Sequence, residues 1–368
     1  MSKYFENFYD WWKNIDKHIL TLVLGLFILG LFFSLVSTSL IASDKLNTNS
    51  YYFFLKHLSF ILLGIIFLLF FSILKQKTLI KISIIFFFIS FFCLFLVPFL
   101  GIEVKGSKRW LDPFFLPRFQ PIEILKPFFI IIISILLSLN NRKLYLKYIF
   151  SSGILIPILL LLISQPDLGQ SLLITLSWLA LIFVSGINIL LFFSFFITAG
   201  ITVSYLVFFV PKFEYIKLRL ITFIDSSSGN NYQSEKASDA IINGGFFGKG
   251  IGEGTLNSRV PEAHTDYIVS VISEEFGVIV IILILILFLN FIFSIFKKVN
   301  VEKDHKTKLI LVGSASLILF QAMIHIGVNI RLFPTTGMTL PFLSYGGSSI
   351  ISISILSGII LNLTKRKI

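Results

Sequence analysis

The sequence has 368 residues, of which 56% are hydrophobic and only 14% are charged, and its mean hydropathy is +0.92. Soluble proteins carry more surface charge than this, so the composition excludes an ordinary soluble domain and indicates a membrane protein. The net charge of +12 does not indicate a nucleic-acid partner, because the basic residues flank apolar segments, where they orient helices and attract anionic headgroups. A single cysteine, Cys93, excludes a disulfide within the chain.

Ten apolar segments follow one another along the chain, most of them close to the roughly 20 residues that a helix needs to cross a bilayer. They predict an all-α polytopic membrane protein whose transmembrane domain covers residues 19–363. Residues 1–18 form a polar and aromatic segment typical of a membrane interface, and residues 364–368 form a short tail. The eighth segment is too long to stand upright, so we expect it to tilt, break or project from the bilayer. The predicted spans are 19–42, 53–74, 79–100, 122–139, 148–164, 168–186, 189–210, 266–296, 309–330 and 344–363.

Lysine and arginine are distributed unequally between the two sides of these spans. Of the 31 basic residues, 17 lie in the two terminal segments and in the short loops after the second, fourth and eighth spans. Because basic residues concentrate on the cytoplasmic side, both termini are predicted to be cytoplasmic and the long segment 211–265 to be outside. No Asp or Glu falls in the middle of a predicted span, whereas proton-coupled transporters usually need one there. The chemistry is therefore expected at the outer membrane face.

The first outer segment, residues 101–126, contains a dense cluster of cations, namely Lys105, Lys108, Arg109, Arg118 and Lys126. Glu123 and Lys126 are three residues apart at the start of a helix, so they share a face. One interpretation is a cationic rim for a pyrophosphate, because Arg and Lys bind phosphate oxygens. The other is headgroup anchoring together with one ion pair at the start of the helix.

The second outer segment, residues 211–265, is rich in glycine, but its glycines lack the G-x-G-x-x-G spacing and the P-loop motif is absent. These glycines predict a flexible loop with positive φ angles. The segment leads through Thr265 and Asp266 into a long apolar helix. Either residue could cap that helix. Alternatively, Asp266 is a general base held at the membrane surface.

Polar residues recur at four-residue steps on two of the apolar helices. Ser270 and Glu274 follow Asp266 at this step, and the ninth span carries Gln321, His325 and Asn329. Hydrogen bonding between helices is the ordinary interpretation of such a stripe.

The third outer segment, residues 331–349, contains Pro and Gly residues that exclude a regular helix before about residue 344. Irregular backbone near membrane depth is tolerated where it lines a cavity or packs on protein. A re-entrant wall around a site is therefore expected here.

Six motifs occur in an order that matches a known family: Lys108–Leu111 with Phe119–Pro121 and Glu123; Gln165–Gly169; Gly245–Gly248 with Gly250 and Gly252; Pro261–Asp266; Glu274–Glu275; and Pro341–Ser349. On these motifs the chain resembles the SEDS family of bacterial cell-wall glycosyltransferases over nearly its whole length. Ala263 and the segment 334–339 resemble the division branch of the family more than the elongation branch. Two residues depart from the pattern: Ile122 stands where the family usually has Ser, and Thr336 where the division branch usually has Lys.

The resemblance implies polymerisation of lipid II, a disaccharide-pentapeptide on undecaprenyl pyrophosphate, at the periplasmic face of the inner membrane and at the division septum. It implies that Asp266 is the catalytic acid or base and that a class B penicillin-binding transpeptidase of the FtsI type, with other division membrane proteins, is the partner. A divalent cation such as Mg²⁺ or Mn²⁺ is a possible cofactor. The predicted substrate-binding residues are Arg109, Gln120, Glu123, Lys126, Glu262, His264, Ser344, Gly346 and Gly347.

Three other roles remain open at this point. A transporter that flips lipid II would use a groove of the same size, with substrate contacts running across the membrane. A non-catalytic scaffold of the division machinery would depend only on its partner surface. An elongation role would place the same chemistry along the cell wall rather than at the septum.

The topology is testable by labelling. We expect a cysteine at position 228 to react with a membrane-impermeant thiol reagent added from outside, and a cysteine at position 303 to be protected, because the basic residues place these positions on opposite sides. Labelling of Lys303→Cys without labelling of Ser228→Cys would reverse the predicted orientation.

Overall fold

The computed structural model describes residues 9–38, 51–104, 106–114, 117–139, 143–210, 213–224, 232–256 and 259–366. Lys105, which belongs to the predicted cationic cluster, and Ser228, which belongs to the topology prediction, lie outside these ranges.

Each of the ten predicted spans corresponds to an α-helix, which confirms the all-α, multi-pass fold. Seven of these helices are long and apolar enough to cross a membrane, and α6 and α12 are shorter apolar helices of 17 residues. A π-helical turn at Ser34–Thr38 extends the first helix. In chain order the helices are α1 Lys17–Phe33, α2 Tyr52–Ile73, α3 Gln76–Leu100, α4 Pro121–Leu137, α5 Leu144–Ser164, α6 Leu168–Val184, α7 Ile189–Phe209, α8 Glu214–Ile224, α9 Tyr232–Gly244, α10 Ile268–Val301, α11 His305–Asn329 and α12 Gly347–Leu363.

Two of the outer segments contain secondary structure that the sequence did not predict. In the first, β1 Ile102–Val104 and β2 Ser107–Trp110 form a small antiparallel hairpin. In the second, the expected irregular loop contains the helices α8 and α9. The spans were found because they are uniformly apolar, whereas these short polar elements carry no comparable pattern.

The 34-residue helix α10 breaks at Gly277, where φ is 82° and ψ is 168°. Of the three alternatives expected for this over-long span, namely tilting, breaking or projecting, the structure shows a break. The glycine-rich segment after α9 packs against the break and exchanges four backbone hydrogen bonds with it. They run from Lys249 N to Glu274 O (2.9 Å), Gly250 N to Glu275 O (3.0 Å), Val278 N to Gly245 O (3.0 Å) and Ile279 N to Phe246 O (3.3 Å).

Glycine is required at this junction because the two backbones approach too closely for a side chain. A Cβ atom at Gly277 would lie 2.1 Å from the carbonyl oxygen of Phe246, and one at Gly248 would lie 2.2 Å from that of Glu275. The positive φ angles expected for the segment are present, but the expectation of a free, flexible loop was wrong. These glycines instead fix the segment against the broken helix.

The helices pack into one bundle with α4 near its centre, in contact with α3, α6, α11 and α12. At one end of the bundle, Asn362 donates its amide to the backbone carbonyls of Phe71, Ser72 and Leu74 at the C-terminus of α2. At the same end, Asp16 caps α1 and pairs with Lys298 at 2.6 Å. Burial is the largest single effect on the Asp16 carboxyl and would raise its pKa, but the hydrogen bond and charge of Lys298, together with the backbone N–H groups of Ile19 and His18, lower the pKa overall. Helix ends away from the candidate site are thus closed by specific polar contacts.

The helices α4, α6 and α12 have only 17 residues each, whereas α1, which also has 17, is extended by the π-helical turn Ser34–Thr38. A helix of this length spans about 25 Å, less than the roughly 30 Å of a hydrocarbon core. The irregular backbone before each of them therefore descends into the bundle. Their N-termini meet at the end of the bundle opposite Asn362, which is the end predicted to be outside.

We predict that Gly277→Ala destabilises the protein, because Cβ would collide with the Phe246 carbonyl and the backbone conformation is nearly restricted to glycine. A residue forced into such a conformation costs about 1–3 kcal/mol, which should lower the midpoint of thermal unfolding in detergent. Gly153→Ala is the matched control, since a Cβ at this helical position meets no atom within 4 Å. Equal unfolding midpoints for the two variants would contradict the packing role of Gly277.

Candidate active site at one end of the bundle

A cavity of about 550 Å³ lies where the N-termini of α4, α6 and α12 meet the irregular segments before α10 and α12. Six of the ten residues predicted for the site line it, which brings together three separate sequence motifs. They are Arg109, Gln120, Glu123, Glu262, Asp266 and Gly346.

Asp266 is held in place through the backbone of its own motif. Three consecutive carbonyl groups each accept a hydrogen bond from a different group: His264 from Tyr345 N (3.1 Å), Thr265 from Ser344 Oγ (2.7 Å) and Asp266 from Asn329 Nδ2 (3.0 Å). The donors come from the re-entrant segment before α12 and from the end of α11. The predicted acid or base is thereby positioned by two elements that are distant in sequence.

The local backbone turns sharply just before Asp266. Glu262 has a φ of 50°, and its carbonyl oxygen accepts from the N–H groups of Thr265, Asp266 and Tyr267 at 3.1, 3.1 and 3.3 Å. Helix α10 begins at Ile268 with Tyr267 at its N-cap position, so neither Thr265 nor Asp266 occupies that position, and the capping alternative is not supported.

The Asp266 carboxylate lies next to a glycine of the facing segment, where the backbone conformation rather than lack of space favours glycine. A Cβ atom at Gly337 would lie 3.5 Å from Asp266 Oδ2, and Gly337 has a φ of 68°, which a side chain would strain. The irregular segment 331–346 therefore forms the wall that the sequence predicted, and Thr336, Gly337 and Thr339 line the cavity from it.

Arg109 reaches the cavity from β2 and is bound at the start of α6. Its Nε donates to the carbonyl of Gln165 at 3.1 Å, a second nitrogen donates to the carbonyl of Pro166, and Nε lies 3.9 Å from Asp167 Oδ2. Its side chain is 17% exposed. The guanidinium is thus fixed in orientation at the cavity wall before any ligand arrives.

Asp167 connects Arg109 to the start of α4. Its carboxylate accepts from Gln120 Nε2 at 2.8 Å and from the backbone N–H of Gln170 at 3.3 Å. Burial raises the pKa of the Asp167 carboxyl above its ordinary value, and the Arg109 guanidinium acts in the opposite direction.

Glu123 and Lys126 form the ion pair that their spacing predicted, at 2.7 Å. Gln170 Nε2 donates to Glu123 at 2.6 Å, and Lys126 donates to Gln321 Oε1 at 3.1 Å. Lys126 is 0% exposed and does not line the cavity, so the prediction that it belongs to a cationic rim needs correction. It lies beneath the cavity, where its charge offsets that of Glu123.

Three further residues predicted to bind substrate do not line the cavity but support the residues that do. Ser344 is buried and uses its hydroxyl to fix Thr265 O and Leu340 N. The His264 ring packs on Phe53 and Tyr345, with centroids 4.9 and 5.9 Å apart. Gly347 faces the Phe60 ring, which leaves no room for a Cβ. Their motif is needed for the site, but through packing and backbone positioning.

The polar stripe on α11 forms the interhelical contacts expected of it. Gln321 joins Lys126 to Thr339 O, His325 Nδ1 lies 2.7 Å from Met338 O, and Asn329 accepts from Ser270 Oγ at 2.8 Å. Glu274 is engaged elsewhere, since it accepts from Asn243 and from the backbone of Leu256. The stripe therefore supports the re-entrant segment and does not enter the cavity.

The cavity lining carries both signs of charge: three carboxylates, Glu123, Glu262 and Asp266, and several groups that attract an anion. The first turns of α4, α6 and α12 contribute Glu123, Gln170 and Ser348 to its lining, so three helix N-termini point towards it. Each N-terminus carries the equivalent of roughly half a positive charge. Two arginines, Arg109 and Arg219, add formal positive charge.

Sequence analysis missed Gln170 and Arg219. Gln170 follows Asp167 by three residues, a spacing that places it in the first turn of α6, but a lone Gln in an apolar run carries no motif of its own. Arg219 lies in the unpredicted helix α8 and donates to Thr335 O at 3.2 Å. The sequence offered one signal for Arg219: arginine is rare in this chain, where Lys outnumbers Arg 24 to 7, so an arginine in an outer segment stands out.

Comparison with known proteins decides the family. The family model FTSW_RODA_SPOVE, described as a cell cycle protein, matches residues 17–367. The chain belongs to this family. The resemblance predicted from the six motifs is therefore confirmed.

Among curated relatives, the probable peptidoglycan glycosyltransferase FtsW of Caulobacter vibrioides is 30% identical over 359 residues, covering 97% of this chain and 91% of the relative. The protein of the same name from Francisella salina is 32% identical over 365 residues, covering 94% and 88%.

Solved structures share the fold. A chain from a structure concerned with polymerization and crosslinking by a peptidoglycan synthase complex has a TM-score of 0.79 at 23% identity, covering 95% of this chain and 97% of that chain. The rod shape determining protein RodA of Thermus thermophilus has a TM-score of 0.69 at 22% identity, covering 95% and 96%.

The buried ion pair supplies a stability prediction. Lys126→Met leaves the Glu123 carboxylate buried without its cation, so we expect a loss of about 3–5 kcal/mol in the free energy of unfolding. The double variant Glu123→Gln with Lys126→Met should recover most of that loss, since no charge is then uncompensated. The measurement is thermal unfolding in detergent.

A matched control is available in α9, where Lys236 and Asp239 have the same spacing and lie 3.1 Å apart but are partly exposed. Lys236→Met should change stability by less than about 1 kcal/mol. If the double variant is as unstable as Lys126→Met alone, the pair contributes through packing and not through charge compensation.

Proposed function

We propose that this protein is a peptidoglycan glycosyltransferase that polymerises lipid II into glycan strands at the periplasmic face and releases undecaprenyl pyrophosphate. The observation that carries the proposal is the position of Asp266, a carboxylate fixed at the wall of a cavity that three helix N-termini and Arg109 make favourable for an anion. The names of the curated relatives support the same reaction class.

The reaction needs a base at the acceptor sugar. The 4-hydroxyl of the incoming GlcNAc attacks the anomeric carbon of the MurNAc at the reducing end of the growing chain, and it loses its proton as the new bond forms. Asp266 accepts that proton. Asn329 binds the carbonyl of Asp266 and Ser344 binds that of the preceding Thr265, so the backbone that carries the carboxylate is positioned before the reaction.

The leaving group is the lipid pyrophosphate, which departs as an anion and requires charge stabilisation more than a proton. Arg109 and the N-termini of α4, α6 and α12 provide fixed positive potential at the cavity. Because a single displacement takes place at the anomeric carbon, the α-linked donor gives a β linkage, as in single-displacement glycoside chemistry.

Lys126 contributes to this arrangement indirectly. It neutralises Glu123, and Gln170 connects Glu123 to the first turn of α6. Removing Lys126 would leave a negative charge next to the place proposed for a pyrophosphate. Lys126 therefore acts indirectly, by offsetting the negative charge of Glu123 beneath the cavity.

A divalent cation fits the residues that line the cavity. Mg²⁺ is commonly bound through one or two carboxylates together with substrate phosphates, and Glu262 and Asp266 both line the cavity. Among the described residues, no group of three His, Cys, Asp or Glu side chains could hold a metal by itself. A bound cation would supply charge stabilisation to the pyrophosphate.

The cellular setting belongs to the same proposal. Ala263 and the segment 334–339 favour the division branch, with action at the septum and a class B penicillin-binding transpeptidase of the FtsI type as partner, alongside other division membrane proteins. The alternative of a lipid II transporter is less favoured, because the polar lining is confined to one end of the bundle, above a core of buried apolar side chains.

The proposal is tested with purified protein, the transpeptidase and lipid II, with glycan polymer as the readout. We predict that Asp266→Asn reduces the rate of polymer formation by about 10²–10⁴-fold, the usual contribution of a general base. The variant should fold normally, because Asn keeps the shape of Asp and the three backbone contacts do not involve the carboxylate.

Glu262→Gln is the comparison, since it alters the other carboxylate of the same motif, and it should lose less activity than Asp266→Asn. A folded Asp266→Asn protein that polymerises at the parent rate would move the base to another residue. Excess chelator separates the two roles of Asp266: activity that persists supports the base, and activity that is lost and then restored by Mg²⁺ or Mn²⁺ supports a metal ligand.

A further inference from the structure

A cavity at the opposite end of the bundle from Asp266 takes no part in the chemistry above. It has a volume of about 370 Å³ and lies between the ends of α10 and α12 and the first turns of α11. This is the end predicted to be cytoplasmic. Four of the nine residues that line it are basic, namely Lys298, Lys303, Lys365 and Arg366.

The positive charges at this cavity outnumber the negative ones. Glu302 is the one acidic residue among the described lining residues, and its Oε1 accepts from the next two backbone N–H groups at 2.9 and 3.0 Å. The neighbouring Asp304 caps α11 through Thr307, and Asp16 pairs with Lys298 at 2.6 Å. An excess of cations around one small space creates a positive potential that attracts an anion.

Lys365 shows the need for an anion most directly. It is half-buried, and in the part of the chain that the structure describes no oxygen accepts a hydrogen bond from its ammonium. Burial lowers the pKa of Lys365 to about 8. A lysine that only complemented the dipole of α12 would lie in solvent or donate to the last carbonyls of the helix. Thr364 does the latter instead, since its N–H and hydroxyl donate to Ile360 O at 2.9 and 2.8 Å.

The tail is fixed so that its two basic residues stay at the cavity. Arg366 N donates to Asn14 O at 3.0 Å, which joins the tail to the segment before α1. That segment is held in turn by the buried Trp11, whose indole donates to Ser72 Oγ at 3.0 Å. The cations are therefore collected by the fold and not by chance contacts of a free tail.

The surroundings of the cavity indicate that its ligand comes from the membrane. Tyr9 and Trp12, in the segment before α1, are exposed, and exposed Tyr and Trp at the end of a helix bundle are typical of the headgroup level. Val301 lines the cavity and is exposed, and further into the membrane α10 exposes Leu289 and Phe293. A lipid whose headgroup enters the cavity thus finds an apolar helix surface for its acyl chains.

We propose that this cavity binds the phosphate of an anionic phospholipid from the cytoplasmic leaflet, with Lys303, Lys365 and Arg366 donating to the phosphate oxygens. Lysine and arginine bind phosphate through charge-assisted hydrogen bonds, and basic pockets between helices on this side of a membrane suit anionic headgroups. The half-buried ammonium of Lys365 distinguishes the site from exposed lysines that attract headgroups without a defined place. The inference is independent of the proposed function, because it concerns the other end of the bundle.

The first experiment measures binding to the full-length protein in a non-ionic detergent. Phosphatidylglycerol, phosphatidylcholine with the same acyl chains, and glycerol 3-phosphate are titrated separately. The thermal unfolding midpoint reports binding, since a ligand of the native state raises it, and native mass spectrometry counts the lipids retained. We expect phosphatidylglycerol to raise the midpoint and to be retained, and the other two compounds to have little effect at the same concentrations.

Two outcomes of this titration would overturn the proposal. An equal rise of the midpoint with phosphatidylcholine would show that the negative charge is not recognised. An equal rise with glycerol 3-phosphate would show that a soluble phosphate compound, and not a lipid, is the ligand.

The second experiment assigns the binding to the cavity. Lys365→Met removes the half-buried charge, so its midpoint without lipid should equal or exceed that of the parent, while its affinity for phosphatidylglycerol should fall roughly 10- to 150-fold. Lys365→Arg keeps the charge and should retain most of the affinity. Lys303→Met removes an exposed lysine from the same cavity, so it should weaken binding without altering the midpoint of the lipid-free protein.

The matched control is Lys77→Met. Lys77 is an exposed lysine at the end of the bundle predicted to be cytoplasmic, and it lines neither this cavity nor the one at Asp266. This variant should bind phosphatidylglycerol as the parent does. If Lys77→Met, Lys303→Met and Lys365→Met all change the affinity equally, the lipid responds to net charge alone and the site is refuted.

Discussion

Irregular backbone inside a membrane protein must find hydrogen-bond partners within the protein, because the hydrocarbon core offers no water. The candidate site depends on this constraint. The chain leaves helical geometry before α10 and before α12, and the two irregular segments satisfy each other: the carbonyls of His264 and Thr265 accept from Tyr345 and Ser344. The polar stripe on α11 donates two further hydrogen bonds to these segments, from Asn329 to the carbonyl of Asp266 and from Gln321 to that of Thr339. The same bonds that make the segments tolerable at this depth also fix the position of Asp266.

The buried charged groups beneath the cavity also find their partners within the protein. Lys126, Glu123, Asp167 and Arg109 are largely removed from solvent, and each has an ionic or amide partner. Burying single charges would cost several kcal/mol each, whereas here positive and negative charges are paired between β2 and the starts of α4 and α6. The outcome is a cavity wall whose buried charges are paired before a ligand binds. Such preorganisation is the largest contribution that a protein makes to stabilising a developing anion.

Uniform apolarity made the ten spans predictable, and the length of the eighth made its break predictable. The sequence could not reveal where the break occurs, since the position depends on a close approach between Gly277 and Phe246 that is a tertiary contact. For the site, short motifs predicted which segments meet, and six of the ten named residues line the cavity. The sequence could not show which residues of a motif line the cavity and which support it. Ser344 and Gly346 are only two positions apart, yet Gly346 lines the cavity and Ser344 is buried behind it. Arg219 was missed because helix α8 has only 11 residues and mixes apolar with charged side chains, so it does not stand out as a span.

The burial of Lys126 and Glu123 has a consequence for biogenesis. On insertion scales a charged residue at the centre of a helix costs about 2.5–3.5 kcal/mol and less towards its ends, and α4 carries two charges within the first two turns of only 17 residues. Helices such as α2 and α3 are apolar enough to partition into the bilayer as they leave the translocon. By comparison α4 is a poor substrate for independent insertion, and the partners of its charges, Gln170 on α6 and Gln321 on α11, are synthesised after it. The contacts of Glu123 and Lys126 can therefore form only after α6 and α11 have inserted into the membrane, so the end of the bundle that contains the cavity assembles late.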